Sequence, residues 1–341
     1  MFGALFLLWI CAVLINLCIK EKERYQNGRL KFSVVKRQYN HTKTGVLPFD
    51  FQKPKKKGEM IMYHNPKVKD ALQRIEEGVS GLLNSERWME YLKFQAKFHR
   101  YSWANCILIR AQFPEATYVA GIKTWNELGR YVKKGERGIA ILAPCFRKKK
   151  IETEDGREEE IKVLSGFRIV HVFDISQTEG KPLPQVEIAK ILQGETELYL
   201  LLKQICPFKV EEKDSLNGAN GRFVGGVVQI LTSLPTVQKT KTLIHEWAHG
   251  ILHGDFTAKF ERRQIELEAE SVAFSVCHVL GLDTSEYSFG YLAGWGGENA
   301  VKMLKESADR IQKATHEILS AIETANQESI TGVSPNVVQG A

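Results

Sequence analysis

The chain has 341 residues, 43% of them hydrophobic and 26% charged, with 27 glycines and 10 prolines. That composition can fill the core of one large domain or of two smaller ones, and it excludes a disordered, collagen-like or multi-span membrane chain. The formal charge of +7 is unevenly placed: residues 20–57 carry 12 basic against 3 acidic side chains, and the rest of the chain is about neutral.

Residues 1–19, MFGALFLLWICAVLINLCI, contain no charge. As a helix they would span about 28 Å, just enough for a hydrocarbon core. A basic n-region and a small-residue cleavage site are both missing, so a signal peptide fits poorly. Basic residues follow the apolar run, and the positive-inside rule then places the bulk of the chain in the cytoplasm behind a single anchor. The competing reading starts the working protein at Met60 or Met62. Residues 20–65 lack periodicity, contain the run FQKPKKKG, and read as a basic linker that can lie on anionic lipid or act as a solvated tether.

Beyond Asn65 the pattern turns helical. Pro66 suits a first turn, and Val68, Leu72, Ile75 and Val79 recur at helical spacing. A second helix is expected from an N-cap at Ser85 to Tyr101, and a third from Ser102. A strand near 117–120, a short helix capped by Thr124 and the turn KKGERG come next. GIAILAP and FRIVHVFDIS read as strands of one hairpin with a charged tip, KKKIETEDGREEE, whose Asp-Gly is a turn signal. Past Pro182 and Pro184, helices are expected at 185–205, 236–253, 259–280 and 298–325. A Gly-rich turn, NGANGRFVGG, and a strand, VVQIL, lie among them, and a disordered tail is expected over 326–341. The class is α+β. Six cysteines form no CxxC pair, which argues against both a disulfide framework and a Cys-based zinc site.

One motif carries chemistry. His245-Glu246-Trp247-Ala248-His249 is HExxH, which on a helix puts both imidazoles on one face. Glu246 can then act as general base on water at the ion. A catalytic Zn²⁺ needs a third protein ligand and an open position. His253 sits one turn farther along the same helix, about 6 Å too far along the axis to close on the ion easily. The segment IELEAESVAF offers Glu266 and Glu270 on one face. Glu266 is the favoured ligand. Glu270 is an alternative ligand or a partner that orients a histidine, and His253 is left in the same two roles. Glu268 is expected to point away into solvent. A metal-free helix and a purely structural metal remain as competing readings.

HEWAHGILHGD followed by IELEAESVAF resembles the ImmA/IrrE-type metallopeptidases, and the match is closer to ArdC-like proteins of mobile elements, including the LtrC-like group. YSWANCILIRAQFPEATYVAGIKTWNELGRYVKKGERGIAILAP is similar to the ArdC N-terminal domain, and LGLDTSEYSFGYLAGW to the C-terminal half of that group. The resemblance spans about 66–325 and leaves 1–60 unmatched. It implies a single-stranded-DNA-binding domain at 66–180, a zincin-like metallopeptidase domain at 185–325, and a role in antirestriction or protection of DNA during conjugative transfer. The alternative is a non-catalytic single-stranded DNA binder with a structural zinc.

On its own terms the first domain permits this. Residues 86–150 hold 14 basic and 5 acidic side chains interleaved with aromatics, the mixture that single-strand binders use. Lys133, Lys134 and Arg137 on the glycine-bracketed turn are candidates for phosphate contact, and Trp125 and Tyr118 for base stacking. Trp88, Phe94 and Phe98 are expected in the core. The peptidase substrate is an unspecified protein or peptide, and VVQIL could offer it an edge strand.

Overall fold

The computed structural model describes residues 65–152, 158–183, 194–254, 261–287, 289 and 298–331. They lie in one compact unit, Phe49–Ala341. The expected anchor at 1–19, nearly all of the expected linker and the Asp-Gly hairpin tip fall outside the described residues. Among the described residues no helix is long and apolar enough to cross a membrane.

Helix α1 (Pro66–Ser80) begins where Asn65 Oδ1 accepts the Lys67 N–H, with proline in the first turn, and buries Val68, Ala71, Ile75 and Val79. Helix α2 (Ser85–Lys97) is capped by Asn84, which accepts from Glu86 and Arg87, and not by Ser85. Ser85 is the first helical residue, and its hydroxyl instead accepts the Phe289 N–H. Phe98 leaves the helical region, so α2 stops short of the expected Tyr101. Ser102 caps α3 (Trp103–Gln112) as expected. The short helix α4 (Ile122–Glu127) follows Gly121 and has no side-chain cap; Thr124 lies inside it.

Strands β3 (Ile139–Glu152) and β4 (Glu158–Asp174) form the long hairpin, in register from Ile139 opposite Val172 out to Glu152 opposite Glu158, with an irregularity at Cys145/Phe146. β1 (Val119–Ala120) pairs with the far end of β4. Four strands that are absent from the sequence reading complete this topology. β5 (Thr178–Gly180) pairs with β2 (Arg130–Val132), and β6 (Lys209–Lys213) joins the second sheet. That sheet has the order β6-β8-β7, with β7 (Gly221–Val224) and β8 (Val227–Leu231) turning through Gly225 and Gly226, both at positive φ. VVQIL is therefore the central strand, hydrogen-bonded on both sides, and cannot be the edge; β6 and β7 are the edges.

Helix α5 (Glu195–Ile205) precedes β6; α6 (Thr236–Leu252), α7 (Arg262–Val279) and α8 (Glu298–Thr331) follow β8. Helix α8 runs past its expected end at 325. One hydrophobic cluster extends from Val68 in α1 through Trp88, Ile109, Trp247 and Phe274 to Ile322 in α8. Trp88, buried as expected, donates its indole N–H to Ser271 Oγ of α7 at 3.0 Å. The N-terminal helices and the helices carrying the motif thus share a core.

Helix α6 lies close against the second sheet because residue 250 has no side chain. A Cβ at Gly250 would meet Phe208 at 2.5 Å and Phe223 at 2.9 Å. Alanine is the better helix former by about 1 kcal/mol. Overpacking at such a contact typically costs about 1–3 kcal/mol. Gly250→Ala is therefore expected to lower the thermal unfolding midpoint, and a raised midpoint would show that this contact is slack.

Candidate metal centre

His245, Glu246 and His249 lie on α6, and Glu266 and Glu270 on the facing side of α7. One donor atom each from His245, His249 and Glu266 lies within 4.8 Å of the others, a group that can hold a metal ion. The two Nε2 atoms are 3.0 Å apart, and Glu266 Oε2 is 3.7 Å from each. Glu270 Oε2 stands 3.4 Å from His245 Nδ1, behind the ligand and not in front of it. His253, at the C-cap of α6, likewise stands behind: its Nδ1 is 3.3 Å from His249 Nδ1.

Glu268 corrects the sequence reading. It is fully buried, not solvated. Its two oxygens accept from Arg310 Nε and Nη2 and Ser307 Oγ, all on α8, and from Gln264 Nε2; His253 Nε2 is 3.2 Å away. Helical face arithmetic separated Glu268 from Glu266 correctly, but the opposite face of α7 is covered by α8.

The donor set fits a cation. Burial disfavours the charged form of His245, but hydrogen bonding to Glu266 and Glu270 outweighs it and raises the pKa to about 10. Burial holds His249 below its ordinary value. Both imidazoles bring Nε2 to one point, 3.0 Å apart, where a bound cation would take the place of the contact between them. Hydrogen bonds from the two histidines hold Glu266 far below the usual carboxylate range, so it is ionised. Two imidazoles and one carboxylate are the ligand types of a catalytic zinc or other transition-metal site.

Glu246 is buried beside this group, and burial pushes its carboxyl up to about 7. Gly221 on β7 leaves room for it, since a Cβ there would stand 3.0 Å from Glu246 Oε1. A cavity of about 330 Å³ opens next to His245 and Glu246, walled by Gly221, Lys241, Glu270 and Tyr287.

The N-terminal surface is arranged differently from the sequence expectation in one respect. Trp125 is 0% exposed and donates its indole N–H to Phe173 O at 2.9 Å, so it cannot stack on a base. It lies under Tyr118, ring centroids 5.4 Å apart, and supports that ring, which is 46% exposed. Lys133, Lys134 and Arg137 are all exposed on the turn between β2 and β3, where Gly135 has φ 93°. Gln177 ties this turn down by donating to Glu136 Oε2 and Arg137 O, and Lys133 Nζ donates to Ser176 O. Tyr131, on β2 at the foot of the turn, is 59% exposed.

Residues 68–173 match the family described as the N-terminal domain of anti-restriction factor ArdC. Over these residues the chain is similar to the ArdC N-terminal domain. Over 272 residues it is 28% identical to an uncharacterized protein of Bacillus anthracis; the match covers 67% of this chain, and the chain spans about half, 46%, of that relative's length. Two crystal structures of the antirestriction ArdC protein from R388 plasmid are also similar. The metal-free structure is 22% identical, covers 68% of this chain and 85% of its own, and has a TM-score of 0.39. The Mn(II)-bound structure is 18% identical, covers 65% and 84%, and has a TM-score of 0.38. Superposition scores this low carry no weight for the site. The ArdC-like family match ends before α6, so the metal centre rests on its own geometry.

The full-length protein is expected to hold about one divalent metal ion, measured by mass spectrometry after exhaustive dialysis. His245→Ala, His249→Ala and Glu266→Ala should each abolish retention, whereas Glu246→Gln should keep it. Glu270→Ala should weaken affinity by about 10–100-fold, the usual cost of losing a partner that orients a ligand. Retention in the Glu266→Ala variant would remove that residue from the site.

Proposed function

We propose that this ArdC-like chain binds single-stranded DNA through its N-terminal segment and hydrolyses peptide bonds at a zinc centre held by His245, His249 and Glu266, in the service of antirestriction or DNA protection. The observation that carries the catalytic half is the convergence of these three side chains beside a buried Glu246, which lines a cavity together with His245. Among the described residues three donors converge, the number that a catalytic zinc takes from its protein, whereas a structural zinc takes four. When bound, zinc supplies Lewis-acid polarisation of a carbonyl and of water.

The chain's own residues then have distinct duties. Glu246 accepts a proton at its carboxylate from the attacking water and delivers it to the leaving amine nitrogen, a task suited to a group titrating near neutrality. Gly221 leaves space for that carboxylate. Strand β7, an edge of its sheet among the described residues, borders the cavity at Gly221, where an extended peptide would run beside its backbone. Glu270 orients His245 through Nδ1.

Glu246→Gln keeps size and hydrogen bonding but cannot take a proton. It should retain metal and fold, yet lose peptidase activity by about 10²–10⁴-fold. The first substrate to try is the chain itself in the presence of single-stranded DNA, followed by mixed peptide libraries. Equal turnover by wild type and Glu246→Gln would refute the mechanism.

The DNA half is supported by the exposed turn of Lys133, Lys134 and Arg137 together with the exposed rings of Tyr118 and Tyr131. Full-length protein should bind single-stranded DNA more tightly than duplex, with log affinity falling against log salt by about 0.7 per neutralised phosphate. Changing Lys133 and Lys134 to Ala should flatten that slope, and Tyr118→Ala should weaken binding by about 1–3 kcal/mol without changing it. An affinity independent of salt would count against the reading.

A further inference from the structure

His253 and Glu268 lie outside the three-ligand set, and the proposed hydrolysis uses neither. Their side chains are nonetheless only 2% and 0% exposed. Every group around Glu268 is a donor: Arg310 contacts both oxygens, and Ser307 and Gln264 add one hydrogen bond each to Oε1. The bidentate guanidinium keeps it a carboxylate, which can only accept. His253, at 3.2 Å, must therefore donate from Nε2–H. A neutral imidazole protonated at Nε2 presents a lone pair at Nδ1. A His249 that holds a cation through Nε2 carries its own proton at Nδ1, and at 3.3 Å that Nδ1–H is placed to donate to such a lone pair on His253 Nδ1. His249 Nε2 is then left unprotonated on the side of His245 and Glu266.

We infer that Arg310, Glu268 and His253 form a positioning relay that fixes His249 in its metal-binding tautomer, anchored on α8. The two histidine ligands are thus oriented by different devices. His245 has a carboxylate directly behind it, Glu270, while His249 has a carboxylate acting through a second imidazole. Partners of this kind set the tautomer and basicity of a ligand and are commonly worth about 10–100-fold in metal affinity. The inference rests on the metal-centre reading and not on peptidase activity.

The test uses full-length, chelator-treated protein with ¹⁵N-labelled histidine. Imidazole spectra of the metal-free wild type should show His249 protonated at Nδ1 and His253 at Nε2. His253→Leu should release His249 from that tautomer and lower Zn²⁺ affinity, read by chelator competition, by about 10–100-fold. His253→Asn should retain most of the affinity, because its amide oxygen takes the place of Nδ1 as acceptor. If His253→Leu does not fold, Arg310→Gln, whose side chain is partly solvent-exposed, loosens Glu268 from outside the core and should lower affinity in the same direction. A wild-type His249 protonated at Nε2 overturns the relay. Equal losses in the Leu and Asn variants would also overturn it, by reducing His253 to packing, as would unchanged affinity in the Leu or Gln variant. The tautomer measurement needs neither metal nor turnover, so a failed peptidase reading or a failure to bind zinc is told apart from a wrong tautomer.

Discussion

Glu268 is a carboxylate with no exposure to solvent, and the arrangement behind the metal centre depends on its being satisfied. Burying an ionised group costs several kcal/mol unless it is paired and its remaining lone pairs are used. Here α8 supplies a bidentate guanidinium and a hydroxyl, α7 an amide, and α6 an imidazole. Three helices thereby meet at one point with a defined rotation about their axes. Apolar contacts between the same helices would hold them together without setting that rotation. Removing Arg310 strands the charge, which is typically worth about 3–5 kcal/mol, whereas losing one neutral donor typically costs about 1–3 kcal/mol.

The residues at the front of the centre were legible because helical spacing alone decides them. Positions i and i+4 share a face, so His245 with His249, and Glu266 with Glu270, could be paired from their numbers. What lies behind them was not legible. Face arithmetic says which residues point together but not what covers the opposite side. Glu268 looked solvated because its cover, Arg310 and Ser307, comes from a helix distant in sequence. VVQIL read as a strand, but its place in the sheet depends on β6, whose sequence KVEEK carries no apolar alternation. β6 is held to its surroundings by polar contacts: Glu212 accepts from Lys203 and Tyr199 on α5 and from Lys239 on α6.

Trp125 and Tyr118 show the same limit on the N-terminal side. Both are aromatic and both neighbour basic residues, so composition cannot rank them as stacking surfaces. The decisive fact is where the indole N–H goes. Phe173 O accepts it under β4, which draws the ring inward and leaves Tyr118 on the outside. A buried tryptophan needs such a partner, and the two-residue strand β1 gave little sign that β4 would pass there.

Helix α8 joins the two halves of the argument. Its Arg310 and Ser307 hold Glu268, while Gln312, two residues on, donates through one amide nitrogen to the carbonyls of His99 and Tyr101 at the close of α2. Farther along, Glu323 binds His99 and Arg100, and Lys305 pairs with Glu76 of α1. The backbone carbonyls freed where α2 stops at Phe98 are therefore satisfied by the same helix that fixes the rear of the metal centre. Each set of bonds demands its own rotation of α8, and on a rigid helix the two must agree. With Trp88 bonded to Ser271 as a separate tie to α7, the ArdC-like segment and the metal helices share polar contacts as well as a core. Cutting the chain between them would expose apolar surface and orphan these groups at once, so the proposed DNA binding and metal binding are to be measured on the whole chain.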